Sequence, residues 1–217
     1  MKYPNAYKGV NRIFIAEIIS IIAAIFAIIG VTMVLAGVTG VDLNVSAELP
    51  MNGLTVGGSI FTIVTAVLSV VSFIMYIIGV ANASNDESSF KTALYAILVG
   101  IIAGLVGGIF SGNLVIYGLA SVVSKFCELI ALFFCIGGIG NLAVSLQNEE
   151  IANKATTLVK FICAVIIIGI IISVIVTFVP IPATLASILS IVSSVCSIIS
   201  YIMYLFLLSG AKNMLST

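Results

Sequence analysis

Histidine and tryptophan are missing from this 217-residue chain, and charged residues make up only 7% of it. Without histidine there is no imidazole base and no His-ligated zinc or haem. A soluble domain carries about a quarter charged residues, so this chain cannot cover a water-facing surface. Its eight Lys/Arg balance eight Asp/Glu, which gives nucleic-acid binding no electrostatic basis. The four cysteines, Cys127, Cys135, Cys163 and Cys196, all sit in apolar runs and form no CxxC pair. They read as small, reduced core residues. Prolines 4, 50, 180 and 182 all fall in connections between apolar runs, so uninterrupted helices are expected. Intramembrane proteolysis would need a Ser–His dyad or paired aspartates, and the apolar runs hold neither. Ser121 or Ser124 beside Lys125 lacks any supporting oxyanion motif, so no enzyme activity, cofactor or metal is implied.

Hydrophobic residues supply 62% of the chain. A membrane-crossing helix needs about 20 mainly apolar residues. Six segments qualify, at about 13–35, 59–82, 92–110, 118–142, 158–179 and 185–209. The first apolar run is too long for a signal-peptide core and should remain in the mature protein. The expected fold class is an all-α membrane protein of six transmembrane helices, arranged as three antiparallel helical hairpins. The whole chain, 1–217, reads as one transmembrane domain in the cell (plasma) membrane.

Charge sets the orientation. Lys2, Lys8, Arg12, Lys91, Lys154, Lys160 and Lys212 all fall on one side, and the opposite connections hold no Lys or Arg. The positive-inside rule places both termini in the cytoplasm. The connection 41–58 is then external; its alternating VDLNVSAEL, PMNG and LTV read weakly as a small β-hairpin. It also carries the sequon Asn44-Val45-Ser46. The loops SNDESSFK (84–91) and QNEEIANK (147–154) each place an acidic pair ahead of a lysine, which is the charge order of a helix entry.

An internal repeat is visible. The second span contains LSVVSFIMY (68–76) and the sixth CSIISYIMY (196–204). The fourth joins them when Asn82 is paired with Asn141. Three repeat units follow, about 1–83, 84–143 and 144–217, with pseudo-threefold organisation; the odd spans resemble one another poorly.

Aligned this way, the even spans share a small, hydroxyl-rich stripe at helical 3-4 spacing. It runs through Thr62, Thr65, Ser69 and Ser72 in the second span, Ser121, Ser124 and Glu128 in the fourth, and Ser190, Ser193, Ser197 and Ser200 in the sixth. Lipid cannot satisfy hydroxyls, so the stripes should face protein or water. Gly100, Gly104, Gly107 and Gly108 give the third span a small-residue face for close helix packing.

Glu128 lies about 15 Å into its span at 1.5 Å per residue, close to mid-bilayer. Lys125 is one turn nearer the outside, and Ser69 and Ser197 occupy the matching repeat positions. Intramembrane carboxylates are costly and usually mark function. Two readings stand. One is a small channel- or carrier-like transporter of an ion or small solute, through a polar seam of helices 2, 4 and 6 centred on Glu128. The other is a non-enzymatic packing or assembly module, or an accessory subunit, that meets itself or another membrane protein through its small-residue faces, with Lys125 and Glu128 paired structurally. A transport path needs a solvated stripe, whereas packing needs a dry one.

Overall fold

The computed structural model describes residues 2–38, 53–178 and 183–216, without the side chains of 38, 55, 170–178, 183–190 and 193. All the described secondary structure is α-helical: α1 (Pro4–Val38), α2 (Gly53–Ala83), α3 (Ser88–Ile109), α4 (Leu114–Ser145), α5 (Glu149–Phe178) and α6 (Ala183–Ser216). All six are long and apolar enough to cross a membrane, the build of a multi-pass membrane protein.

Two expectations need correction at helix starts. Pro4 opens α1 rather than lying in a connection; its missing N–H costs nothing in a first turn, whose N–H groups have no intrahelical partner. Residues 54–56, read as the far side of a β-hairpin, lie in the first turns of α2. Continuity with a long apolar helix outweighs the β-propensity of a three-residue run. The remainder of that external loop, including the sequon at 44–46, lies outside the described residues, as do prolines 50, 180 and 182.

The chain divides into two compact units, Arg12–Ile78 and Met1–Asn11 with Gly79–Thr217.

In the unit Arg12–Ile78, α1 packs on α2 through small residues. A Cβ added at Gly30 would lie 3.1 Å from the Gly58 oxygen and 3.1 Å from the Phe61 Cβ. Thr65 Oγ1 donates to the Ala23 carbonyl at 3.4 Å, and Ser72 Oγ to the Ala16 carbonyl at 2.8 Å. Phe26 meets Phe61 edge to face at 5.7 Å. The partners step by seven residues: 16, 23 and 30 on α1 against 72, 65 and 58 on α2. A seven-residue period keeps one seam facing its neighbour as two helices supercoil. Lipid tails are as apolar as leucine, so the drive is close van der Waals contact, which small residues permit.

In the larger unit the same spacing recurs. Gly9 touches the Gly79 oxygen and the backbone of Ala83, where an added Cβ would come within 2.5 and 2.6 Å. On α3, the small residues Ala93, Gly100 and Gly107 are seven apart. A Cβ on Gly100 would lie 3.2 Å from the Cys127 Cβ, and one on Gly107 3.1 Å from the Ala120 Cβ. Phe90, fully buried, lies against Gly138. Helix α5 reaches α4 where Ala155 meets Gly140, and α6 where Ile151 meets Gly210.

The helix ends at the chain termini are fastened by polar groups. Asp86, in the α2–α3 connection, accepts from the Asn5 and Ala6 backbone N–H groups at 2.8 Å and from Asn5 Nδ2 at 2.9 Å. It caps the first turn of α1 from 80 residues away, where negative charge suits the helix dipole. Its neighbour Glu87 is the N-cap of α3 and accepts from Ser89 and from Asn141 Nδ2 of α4. At the end of α4, Gln147 adopts φ 56°, with Asn148 N–H bonded to the Ala143 carbonyl and Gln147 N–H to that of Val144. This is a Schellman ending, built here without the usual glycine. Asn148 then caps α5 through the Ile151 N–H.

Candidate functional site

The hydroxyls of the even-helix stripe differ in what they bond to and in how far they are buried. Thr65 and Ser72 donate to α1, and Ser124 Oγ donates to the Gly100 carbonyl of α3 at 3.2 Å. Only the Ser72 bond is short; the other two are at the long end for a hydroxyl donor. Ser72 is 5% exposed, so no water need reach it. Thr62 bonds back to Gly58 of its own helix and Ser200 to Cys196 of its own. Such bonds satisfy the hydroxyl without linking helices. The side chains of Ser190 and Ser193 lie outside the described set.

Ser69, Glu128 and Ser197, which the repeat alignment superposes, are all exposed. Ser69 belongs to the smaller unit, Glu128 and Ser197 to the larger. Lys125 is exposed too, and among the described residues it forms no ion pair with Glu128.

The environment of Glu128 follows from its helix register. The α4 contact with α3 runs through Ala120, Ser124 and Cys127. Each residue turns the helix by about 100°, so Glu128 stands roughly a quarter turn off that line and Lys125 still further. The stripe Ser121–Lys125–Glu128–Leu132 continues at 3-4 spacing into Ile136, Ile139 and Ala143, all buried. One helix face is therefore packed in its C-terminal half and open in its N-terminal half.

The four glycines of α3 separate in the same way. Gly100 and Gly107 sit against α4, Gly104 only reaches Ser124 Oγ at 4.0 Å, and Gly108 has nothing within 4 Å.

A cavity of about 210 Å³ lies where the termini meet, lined by Lys2, Tyr3, Leu146, Asn148, Met214 and Leu215. It contains none of the candidate site residues of the polar stripes. No group of three or more His, Cys, Asp or Glu side chains suited to a metal occurs among the described residues.

Sequence reasoning missed the trans-cap Asp86–Asn5, because a cap supplied 80 residues away leaves no local signature. It also missed the seven-residue columns, although the spacing of 9, 16, 23 and 30 against 58, 65, 72 and 79 was there to find. The hydroxyls drew the eye to half of each contact, and the glycines and alanines opposite carry the other half. No protein-family model, curated protein or solved structure matches the chain.

Proposed function

We propose that this protein is a non-enzymatic membrane packing and assembly module of the cell membrane, acting through small and polar helix faces. The observation that carries this reading is the use of Thr65, Ser72 and Ser124. Each spends its hydroxyl on a neighbouring helix backbone, so at these three positions the α2 and α4 stripes serve as joints between helices, where a path would need them wet.

The architecture that goes with this reading is three antiparallel hairpins with both termini in the cytoplasm. The opposite running order of partners along α1 and α2 supports the antiparallel arrangement, and the one-sided Lys/Arg distribution supports the sidedness. The contacts also support the repeat. One register shift places Ala23 on Gly100 and Gly30 on Gly107 in the odd helices. The matching shift places Thr65 on Ser124 and Phe61 on Ala120 in the even ones, and equivalent residues then touch equivalent partners. The third pair departs, with Leu207 where α2 has Gly79 and α4 has Gly138.

A second reading, ion or small-solute transport at Glu128, draws on one observation. Glu128 is exposed and unspent in the middle of a membrane-length helix. Accessibility separates the two. In a variant lacking the four native cysteines, single cysteines at 65, 72 and 124 should resist a water-soluble, membrane-impermeant thiol reagent applied to either face. Rapid labelling at all three, with cation flux in proteoliposomes that Glu128→Gln abolishes, would overturn the packing reading in favour of transport.

A further inference from the structure

The open half of α4 bears two charges of opposite sign. Lys125 and Glu128 are exposed and form no ion pair with each other among the described residues. This half of α4 is apolar and open: Leu114 is 83% exposed, Val122 67% and Phe126 63%. Lipid cannot cover this face cheaply, because an isolated charge in hydrocarbon costs several kcal/mol. Hydrocarbon contact is therefore unfavourable, and a covering group that offers both a cation and an anion removes the cost.

A second copy of this chain offers both at the required spacing. Residues three apart differ by about 60° around the helix and by about 4.5 Å along it. Lys125 and Glu128 therefore stand on opposite flanks of one stripe, whose midline passes through Leu114, Ser121 and Leu132. When two copies in the same membrane meet about a two-fold axis on that midline, each flank faces the other flank of its partner, as in any isologous interface. Lys125 of each copy then reaches Glu128 of the other, and both charges are matched twice. Gly118 and Ser121 are small enough to let the backbones approach. The contact is confined to residues 114–132, since the same stripe is already buried at Ile136, Ile139 and Ala143.

We propose that the protein self-associates through the N-terminal half of α4, with reciprocal Lys125–Glu128 ion pairs between two copies. This rests on the assembly reading above and names its partner.

The test is energy transfer between donor- and acceptor-labelled full-length protein in liposomes, titrated by lipid dilution. Wild-type protein should associate. Lys125→Glu and Glu128→Lys should each raise the dissociation constant about tenfold or more, since each sets like charges face to face. Mixing the two variants should restore association to near the wild-type value, because each then supplies what the other lacks. A misfolded variant cannot be rescued in this way, and a pair formed within one chain would not respond to mixing. Lys125→Met and Glu128→Gln, which cannot repel, should weaken association less than the reversals do. A wild-type protein that stays monomeric at high protein-to-lipid ratio overturns the proposal. So does association that ignores the reversals, or loss that mixing fails to rescue. The assembly reading itself falls separately, to Glu128-dependent flux, whatever the oligomeric state.

Discussion

The α1–α2 and α3–α4 contacts solve one packing problem with different residues. Where Gly9 sits against the backbone of Gly79 and Ala83, the corresponding end of α3 puts the ring of Phe90 against Gly138. Ser72 is buried with a hydroxyl bond to Ala16, while its repeat equivalent Ala131 is buried with no polar atom in its side chain. What persists is the column of small residues at seven-residue spacing; what varies is the polar decoration. Helix association in lipid rests on close approach first, and hydrogen bonds add to it.

The largest effect should come where the two contacts differ in what blocks a side chain. At Gly9 an added methyl meets backbone atoms at 2.5 and 2.6 Å, which cannot move without moving α2. At Gly138 it meets Phe90 Cε2 at 2.7 Å. Gly9→Ala should cost about 2–3 kcal/mol, at the upper end for overpacking, read as unfolding in detergent by denaturant. Gly138→Ala should cost less, and Phe90→Leu added to it should recover part of the loss. Equal costs for the two glycines would show that the backbones adjust as easily as the ring.

The caps come next. Asp86 serves α1 with three hydrogen bonds from another part of the chain, whereas α3 has its cap, Glu87, at its own start. Losing an N-cap costs about 1 kcal/mol, within a range of 0.5–2. Asp86→Ala should fall at the top of that range and raise amide exchange at residues 5 and 6. Glu87→Ala should instead loosen the start of α3 and leave Asn141 bonded to Ser89 alone. Exchange at 5 and 6 that does not change in Asp86→Ala would remove the trans-cap.

These comparisons show what the sequence made legible. All six helices follow from composition, because only apolar runs of that length can cross a bilayer. The joint residues Thr65, Ser72 and Ser124 stood out because hydroxyls contrast with Ile and Val around them. Their partners Ala23, Ala16 and Gly100 did not, since small apolar residues look unremarkable inside an apolar span. Glu128 was conspicuous, but its exposure depends on which face α3 covers, and that is set by Cys127 and Ala120 meeting two glycines. Helix starts were missed by up to nine residues at the first span, where Pro4 rather than Ile13 begins the helix. Polar first turns extend a helix beyond the membrane core without adding to its hydropathy.

The hydroxyls should matter less than the columns they sit in. Ser72→Ala keeps the small size and removes the bond to Ala16, so the cost should be about 0.6 kcal/mol, the average for such bonds in membranes. Ala131→Ser makes the opposite exchange in α4, and its new hydroxyl can bond back to its own helix, so it should be nearly neutral. Ser72→Leu tests size at the same site and should be far worse than Ser72→Ala. If Ser72→Ala proved as damaging as Gly9→Ala, polar bonding and not close approach would be the leading contribution in the α1–α2 contact.

The smallest expected effect distinguishes a column residue from its neighbour. Gly107 and Gly108 are adjacent on α3, yet an added Cβ meets Ala120 at 3.1 Å from the first and nothing within 4 Å from the second. At Gly108 the methyl enters open space, and alanine is the better helix former by up to about 1 kcal/mol in water. In a bilayer the backbone is already held helical by its unmet hydrogen-bonding groups, so the gain should shrink to a few tenths of a kcal/mol. At Gly107 the same methyl must push Ala120 by a few tenths of an ångström, which offsets the propensity gain and should leave a small net loss. Thermal unfolding of Gly107→Ala and Gly108→Ala in one detergent should therefore shift in opposite directions. A loss at Gly108 as large as that at Gly107 would mean that this face of α3 is covered after all, and that the seven-residue column is not the only joint the helix makes.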